Sequence, residues 1–239
     1  MRVGSAQGFQ GVVLKHLAVG SLAGVLTVLF VTSRPEWSFD HRIWRATGDA
    51  SLMLLYAALL AGPLAQFWPR LAAPLVKYRR ELGIWFGLLA LLHTVLILND
   101  WVRWDVMRFL GYEFVPELGR LARMEPGFGL ANLMGLVAVL ISLALLASSS
   151  DWAVRRLGAS AWKFLQYSSY TVFYLSALHS AYFLFMQFTQ HFHKNVPDFN
   201  WFRYPFLILT LVLIGFQVAA FFRSVSKEQA REGRRSSRI

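Results

Sequence analysis

Long apolar stretches with few or no charged side chains alternate along the chain with short polar and charged segments. A membrane-spanning helix needs roughly 20 consecutive apolar residues, because the hydrocarbon core of a bilayer is about 30 Å thick. Six stretches reach this length, and the strict apolar/polar alternation of barrel strands is not seen. The pattern therefore predicts an all-α, polytopic membrane protein, a six-helix transmembrane bundle with spans near residues 13–33, 49–69, 81–98, 127–149, 164–190 and 204–223.

Composition supports a membrane protein and narrows its chemistry. Hydrophobic residues make up 56% of the 239 residues and the mean hydropathy is +0.45, above the apolar share of an average soluble domain. The chain contains no cysteine, so disulfides, iron–sulfur clusters and thiol redox chemistry are excluded and redox activity would need a bound cofactor. Six spans leave too little chain for a flavin- or nicotinamide-binding domain.

The basic residues are distributed unevenly between the two sides of the predicted bundle. An even number of spans places both termini on one side, which holds fifteen of the 24 Lys and Arg residues but only four of the 13 Asp and Glu residues. The whole net charge of +11 therefore lies on that side. The positive-inside rule predicts that this side, with both termini, is cytoplasmic. We attribute the charge to topology and to anionic lipid, and expect no nucleic-acid partner.

Two histidines interrupt apolar stretches at matching depth. His93 lies 12 residues beyond Glu81, about 18 Å along a helix, and His179 lies 15 residues beyond Phe164, about 22 Å. An intramembrane imidazole is costly to bury and suggests a function. Such a pair can supply both axial ligands of a b-type haem, with Gly83 and Gly87 expected to leave room on one helix face. Alternatively, each histidine only hydrogen-bonds across helices.

The sequence around these histidines resembles the ferric reductase-like transmembrane domain superfamily. Within that superfamily it is most similar to the haem-binding subunits, of the MsrQ or YedZ type, of the bacterial periplasmic methionine sulfoxide reductase system. The resemblance covers roughly residues 48–190. The matching motifs are Arg79, Arg80, Glu81, Leu82 and Gly83 before Leu92 and His93, then Arg155, Arg156, Leu157 and Gly158, Trp162 and Lys163, and Leu178 with His179.

This resemblance implies a haem b between His93 and His179 in a multi-pass protein of the bacterial inner membrane. It implies that electrons pass from a donor, either a quinone or a cytoplasmic flavin reductase, to a periplasmic oxidoreductase partner. Family members usually carry a further histidine where this chain has Gln166, which is a poor iron ligand. We therefore expect one haem per chain.

The chain divides into four regions on this interpretation. Residues 1–47 hold the first span and an outer loop, and residues 48–190 form the ferric reductase-like haem-binding core. Residues 191–223 form an outer loop and the last span, and 224–239 a basic cytoplasmic tail that we expect to be disordered. Residues 70–80 are expected to be a cytoplasmic loop.

Several polar residues outside the pair have two interpretations. Arg79 and Arg80 could bind a flavin phosphate or a quinone at the cytoplasmic side, or serve only the positive-inside rule. Arg45, Arg103 and His41 are predicted on the outer side, where haem propionates need cations.

The long outer connection, residues 99–126, has apolar residues at helical spacing. It predicts an interfacial helix that either caps the site or only anchors the chain. His191 and His193 do not share a helix face and are expected to be interfacial.

Two other classes of function compete with electron transfer. A small transporter would need carboxylates or broken helices near the midplane, and Asp49, the only candidate acid, is predicted at the end of a span. An assembly or scaffold protein would use both histidines only for packing. No acid–base pair, nucleophile or nucleotide-binding glycine loop is evident, so we predict no catalytic residue and an electron-transfer subunit rather than a complete enzyme.

Overall fold

The computed structural model describes residues 3–123, 127–187 and 200–236. Within these residues the protein is an almost entirely helical, multi-pass membrane protein with one small β-hairpin. Its helices are α1 Val3–Thr32, α2 Phe39–Phe67, α3 Pro69–Leu96, α4 Val106–Phe109, α5 Phe128–Ala147, α6 Asp151–Leu157, α7 Ala159–Ala181 and α8 Arg203–Ser236.

Five of the described helices are long and apolar enough to cross a membrane, and they match five of the six predicted spans. They are Gln10–Thr32, Phe39–Phe67, Pro69–Val102, Phe128–Ala147 and Arg203–Arg234. The predicted span at 164–190 corresponds to α7 and is less apolar, because serine, tyrosine and glutamine side chains lie along it. Residues 188–190, His191 and His193 lie outside the described residues.

Helix α2 is the centre of the bundle. It is the most buried of the five candidate spans and packs against α1, α3, α7 and α8. Its inner residues, such as Leu54 and Leu55, join a continuous core with Val172 and Phe173 of α7. Because α2 is surrounded by other helices, its apolar residues face protein all round, whereas α1 and α8 leave most of their apolar side chains exposed to lipid.

Helix α7 lies antiparallel along the whole of α5. Near one end His179 contacts the carbonyl of Ala131, and near the other Gln166 and Trp162 donate hydrogen bonds to Ser148. The section of α7 between these contacts therefore extends over the full length of the apolar helix α5. Its polar side chains are tolerated because helix α5 covers part of its surface.

The prediction of a cytoplasmic loop at residues 70–80 is wrong, because these residues form the first three turns of α3. Only Trp68 separates α2 from α3. Pro69 occupies the first position of α3, where its missing N–H is no loss and its φ angle suits a helix. The basic residues of this segment thus lie on a helix that continues into the membrane.

The prediction of one interfacial helix across residues 99–126 is also wrong. Helix α3 ends in a π-helical turn, Ile97–Val102, and only the four residues of α4 follow as α-helix, capped by the Asp105 carboxylate. The chain then forms an antiparallel hairpin of β1 Tyr112–Val115 and β2 Arg120–Arg123. Gly119, with a φ of +60°, closes the turn, a conformation that glycine adopts without strain.

The basic tail is helical rather than disordered as far as Ser236, because α8 continues through it without a break. At 1.5 Å per residue its 34 residues extend about 51 Å, well beyond the thickness of a bilayer core. Its extension is rich in Lys, Arg, Glu, Gln and Ala, which are good helix formers. An exposed contact between Glu228 and Arg231 at 3.7 Å adds little.

Candidate cofactor-binding site

The structure brings the two membrane histidines together. His93 lies near the end of α3 and His179 near the end of α7. The centres of their imidazole rings are 6.4 Å apart and the ring planes meet at 80°. Residues 86 positions apart in the chain therefore form one local pair, which hydropathy alone could not show.

Each imidazole is held by a backbone carbonyl of a neighbouring helix. The Nδ1 atom of His93 is 2.7 Å from the carbonyl oxygen of Trp44, and that of His179 is 2.8 Å from the carbonyl oxygen of Ala131. A carbonyl oxygen can only accept a hydrogen bond, so Nδ1 carries the proton and donates in both cases. Nε2 is then left with a free lone pair, the form in which a histidine binds a metal.

The spacing of the rings fits two axial ligands on one iron. A metal–nitrogen bond is roughly 2 Å and the ring centre lies about 1 Å beyond the nitrogen, so two such ligands have centres about 6 Å apart. The observed 6.4 Å agrees with this value. Across the described ranges, no group of three or more His, Cys, Asp or Glu side chains could hold a metal ion, and the two imidazoles suit an iron whose other ligands come from a porphyrin.

A cavity of about 410 Å³ adjoins both imidazoles. Its size lies within the range of roughly 300–1,000 Å³ found for cofactor and small-molecule sites. Helices α2, α3, α5 and α7, together with the segments that follow α3 and α7, supply its walls, which are mainly apolar. The apolar and aromatic members of the lining include Leu52, Phe86, Leu98, Phe109, Phe128, Leu136, Val139, Phe183 and Leu184.

The outer connection encloses one end of this cavity. Trp101 and Phe109 line it, and the Trp101 ring lies 4.9 Å from that of Phe128, at the start of α5. The side-chain amide of Asn132 donates a 2.7 Å hydrogen bond to the Phe109 carbonyl and fixes the connection to α5. Although the predicted interfacial helix does not form, this segment supplies aromatic rings to the cavity wall.

Two of the three polar residues expected near the propionates line the cavity. They are His41 and Arg45, and Arg45 donates a 3.0 Å hydrogen bond to Gln187 while its guanidinium lies 5.2 Å from the centre of the Phe183 ring. Arg103 does not line the cavity, because it follows the π-helical turn in a left-handed conformation with φ +53° and is exposed. The predicted side of the membrane is the same for Arg103 and Arg45, so the sequence did not show which of them lines the cavity.

A buried ion pair forms part of the wall of the site and was missed in the sequence. Asp49, which lines the cavity, accepts a 2.6 Å hydrogen bond from Arg34, whose side chain is completely buried. The same guanidinium donates to Asn200 at 3.1 Å and lies over the rings of Phe30 and Trp37. Because α2 begins at Phe39, Asp49 is inside the helix rather than at its end, and its charge is matched by Arg34.

The glycines next to the imidazoles are not those expected from the sequence. A Cβ atom on Gly83 would meet nothing within 4 Å, and one on Gly87 would reach only Leu146 at 4.0 Å. Gly48 and Gly135 lie against the rings of His93 and His179 instead. Each lies one helical turn after the residue whose carbonyl accepts the hydrogen bond from the histidine, Trp44 or Ala131. This spacing could not be recognised in the sequence, because the sequence does not show which carbonyls the histidines contact.

Gln166 lies at the opposite end of α7 from His179 and does not line the cavity. Its side-chain amide donates a 3.3 Å hydrogen bond to the Ser148 hydroxyl. The position where relatives usually carry another histidine thus serves here as a contact between α7 and the end of α5.

Arg79 and Arg80, on α3 at the opposite end of the bundle from the histidine pair, differ in their contacts. Arg80 forms a 2.9 Å ion pair with Asp151 and donates to the carbonyl of Ser149 at 3.1 Å, so it links α3 to the start of α6. Arg79 is exposed, and one of its guanidinium nitrogens lies 3.8 Å from where Gly62 would carry a Cβ. These contacts favour a structural role for Arg80.

Comparison with known proteins identifies the family of this chain. The sequence model of the family described as "Ferric reductase like transmembrane component" matches residues 17–177, more than half of the chain. The chain belongs to this ferric reductase-like family. The matched region contains His93 and most of the cavity wall but ends two residues before His179. The second ligand candidate of this ferric reductase-like protein therefore depends on the geometry alone.

Curated relatives of this ferric reductase-like chain include two proteins named "Protein-methionine-sulfoxide reductase heme-binding subunit MsrQ". The one from Yersinia enterocolitica is 33% identical over 133 residues, covering 56% of this chain and 59% of the relative. The one from Yersinia pseudotuberculosis is 31% identical over 137 residues, covering 56% and 58%. The chain thus spans less than two thirds of these relatives. No solved structure gives a significant match.

Proposed function

We propose that this protein is a haem b-containing membrane subunit that passes electrons from a cytoplasmic or quinone donor to an oxidoreductase on the outer side of the membrane. The observation that carries the proposal is the histidine pair. Two imidazoles with 6.4 Å between their centres, each donating from Nδ1 to a backbone carbonyl, adjoin an apolar cavity. A bound haem would supply reversible one-electron chemistry between ferric and ferrous iron.

His93 and His179 would hold the iron through Nε2, while the surrounding residues exclude water and set the charge. Phe86, Phe128 and Phe183 provide apolar walls on three helices. An apolar, low-dielectric wall limits solvent access and would so tune the potential of a bound haem. The chain's own contribution is therefore to bind, orient and insulate the cofactor.

The charges around the cavity suit a haem that carries propionates at its edge. Arg45 offers a guanidinium at the cavity wall, where a carboxylate could accept its hydrogen bonds. The Asp49 carboxylate would otherwise repel propionates, but Arg34 neutralises it at 2.6 Å. We infer that Arg45 contacts a propionate and that the Arg34–Asp49 pair keeps this wall close to neutral.

We infer a six-span topology with both termini in the cytoplasm of a bacterial inner membrane. The sixth crossing would be α7, which lies antiparallel along all of α5 between the His179 and Gln166 contacts. The positive-inside rule then places the Arg80 and Gln166 end inside and the histidine pair in the outer leaflet. In that orientation the cavity lies close to a partner on the periplasmic side.

The names of the relatives suggest the class of partner. Both relatives quoted above are named as haem-binding subunits of a protein-methionine-sulfoxide reductase. We propose that the partner here is a periplasmic oxidoreductase of that kind, and that the donor is a quinone or a flavin reductase acting at the cytoplasmic end, where Arg79 is exposed.

The visible spectrum of the purified chain tests the proposal. We expect a Soret band that shifts on dithionite reduction and a pyridine haemochrome titration of one haem b per polypeptide. A protein that shows no Soret band even after haem supplementation would favour a transporter or a scaffold. A titration of two haems per polypeptide would contradict the single-site assignment.

A further inference from the structure

We propose that Gly48 and Gly135 are positioning residues that set the orientation of the two axial imidazoles. Each glycine leaves open the backbone carbonyl one helical turn before it, and that carbonyl fixes one imidazole. The two carbonyls together hold the ring planes nearly perpendicular. The inference rests on the proposed haem function, but it concerns the orientation of the ligands and can fail separately.

The arrangement at His93 involves α2. The Trp44 carbonyl that accepts the Nδ1 proton lies four residues before Gly48. A Cβ on Gly48 would lie 3.2 Å from both Cε1 and Nδ1 of His93. That contact is tighter than ordinary van der Waals contact, so a side chain here would push the ring by a few tenths of an ångström.

The arrangement at His179 repeats this relationship on a different helix. Ala131, whose carbonyl accepts the Nδ1 proton, lies four residues before Gly135 of α5. A Cβ on Gly135 would lie 2.7 Å from Nδ1 and 2.8 Å from Cε1 of His179. The Phe183 ring also packs against the His179 ring, with 4.8 Å between the two ring centres. Any side chain at 135 must therefore displace the imidazole.

The four-residue spacing has a geometric cause. In an α-helix the carbonyl of residue n points along the axis toward residue n+4 and accepts its N–H. The oxygen keeps a second lone pair for another donor. The side chain of residue n+4 lies beside that lone pair, because residues four apart stack on one helix face. Glycine at n+4 leaves this side of the oxygen open, so that an imidazole from another helix can approach it closely.

The same two contacts determine the electronic state of a bound iron. A carbonyl that accepts from Nδ1 makes the imidazole a stronger donor and fixes its rotation about the metal–nitrogen bond. In low-spin ferric haem the angle between two axial imidazole planes determines the g anisotropy. Perpendicular planes give a highly anisotropic, low-field signal, and parallel planes give an ordinary rhombic signal. The angle of 80° predicts the first kind.

The wild-type protein loaded with haem gives the first test by electron paramagnetic resonance at low temperature. We expect a highly anisotropic low-spin signal. An ordinary rhombic signal would overturn the inference while leaving the bis-histidine haem of the proposed function intact. A protein that takes up no haem would contradict the proposed function and the positioning role with it.

Glycine variants give the second test, in detergent-purified full-length protein. We expect Gly135→Ala to weaken haem retention roughly 10- to 100-fold, as loss of a metal ligand's supporting hydrogen bond commonly does. In the haem that remains, the midpoint potential should rise and the anisotropic signal should shift. Gly48→Ala should change the same three measurements in the same direction but less, because its contact is 3.2 Å rather than 2.7 Å.

Two controls separate positioning from packing. Gly83→Ala adds a methyl group where nothing lies within 4 Å and should leave retention, potential and spectrum unchanged. Gly20→Ala places a Cβ 2.5 Å from the Trp85 side chain, away from the cavity, and should lower thermal stability without altering the signal of bound haem. The inference is overturned if Gly135→Ala and Gly48→Ala keep the wild-type signal and potential, or if Gly20→Ala changes them equally.

Discussion

The two ends of α7, marked by His179 and by Gln166 13 residues earlier, differ in their capacity to bind a cofactor. At one end His179 faces His93, each ring donates to a backbone carbonyl, and a cavity adjoins both rings. At the other end Gln166 donates to Ser148 and an exposed ion pair links α3 to α6. Of these two ends, only the one with His179 combines paired ligand candidates, a cavity beside them and backbone acceptors for their Nδ1 protons.

Removing an imidazole should have the largest effect. We expect His93→Ala and His179→Ala each to lose nearly all haem on purification, because a six-coordinate iron loses one axial ligand. Gln166→Ala is the matched control from the other end of α7 and should keep wild-type haem content. Haem-to-protein ratios from pyridine haemochrome spectra give the measurement. Full occupancy in both histidine variants would exclude the axial assignment.

Breaking the buried ion pair should have the next largest effect. Arg34→Ala leaves the Asp49 carboxylate without its cation inside the bundle, which typically costs about 3–5 kcal/mol. We expect a clear fall in the thermal denaturation midpoint in detergent. Combining it with Asp49→Asn removes the unpaired charge and should restore part of the loss. A double variant no more stable than Arg34→Ala would show that the arginine acts through its contacts with Asn200 and the aromatic rings rather than through Asp49.

Removing the guanidinium at the cavity wall should change the potential rather than the fold. Arg45→Gln takes away a positive charge near the proposed haem. At an effective dielectric constant of about 20 we expect the midpoint potential to fall by roughly 40 mV, equivalent to about 1 kcal/mol. Arg103→Gln, on an exposed residue outside the cavity, should leave the potential unchanged. Equal shifts in a redox titration would show that only overall charge matters.

The exposed ion pair at the opposite end should matter least. Arg80 and Asp151 contact each other at 2.9 Å, but their side chains are 47% and 78% exposed. Such pairs contribute about 0–1 kcal/mol. Asp151→Asn should therefore leave the denaturation midpoint almost unchanged and the haem content equal to wild type. A loss of haem in this variant would show that the Arg80–Asp151 pair affects the histidine site at the other end of the bundle, and would contradict the expected independence of the two ends.

Much of the fold followed from hydropathy, but the connections did not. Apolar stretches located five helices that can cross a membrane, because burying a helix in lipid requires about 20 apolar residues whatever its neighbours are. Basic composition led to the wrong prediction of a loop at residues 70–80 and of disorder in the tail, which is helical as far as Ser236. Lys, Arg, Glu and Ala are good helix formers, so a charged composition does not by itself end a helix.

The candidate site was only partly predictable. His93 and His179 stood out because an imidazole is rare in an apolar stretch. Arg34 did not, since its complete burial depends on Asp49, Asn200 and aromatic rings that approach from three segments.

By itself the sequence determined where the long apolar segments lie, that His93 and His179 interrupt two of them, and where along the chain the positive charge lies. These are properties of single segments and of their transfer into lipid. Only the tertiary structure decided that the two imidazoles meet at 6.4 Å, that Gly48 and Gly135 rather than Gly83 make room for them, and that Arg45 rather than Arg103 lines the cavity. The physical reason is that contacts between helices depend on rotation and tilt, which hydropathy does not record.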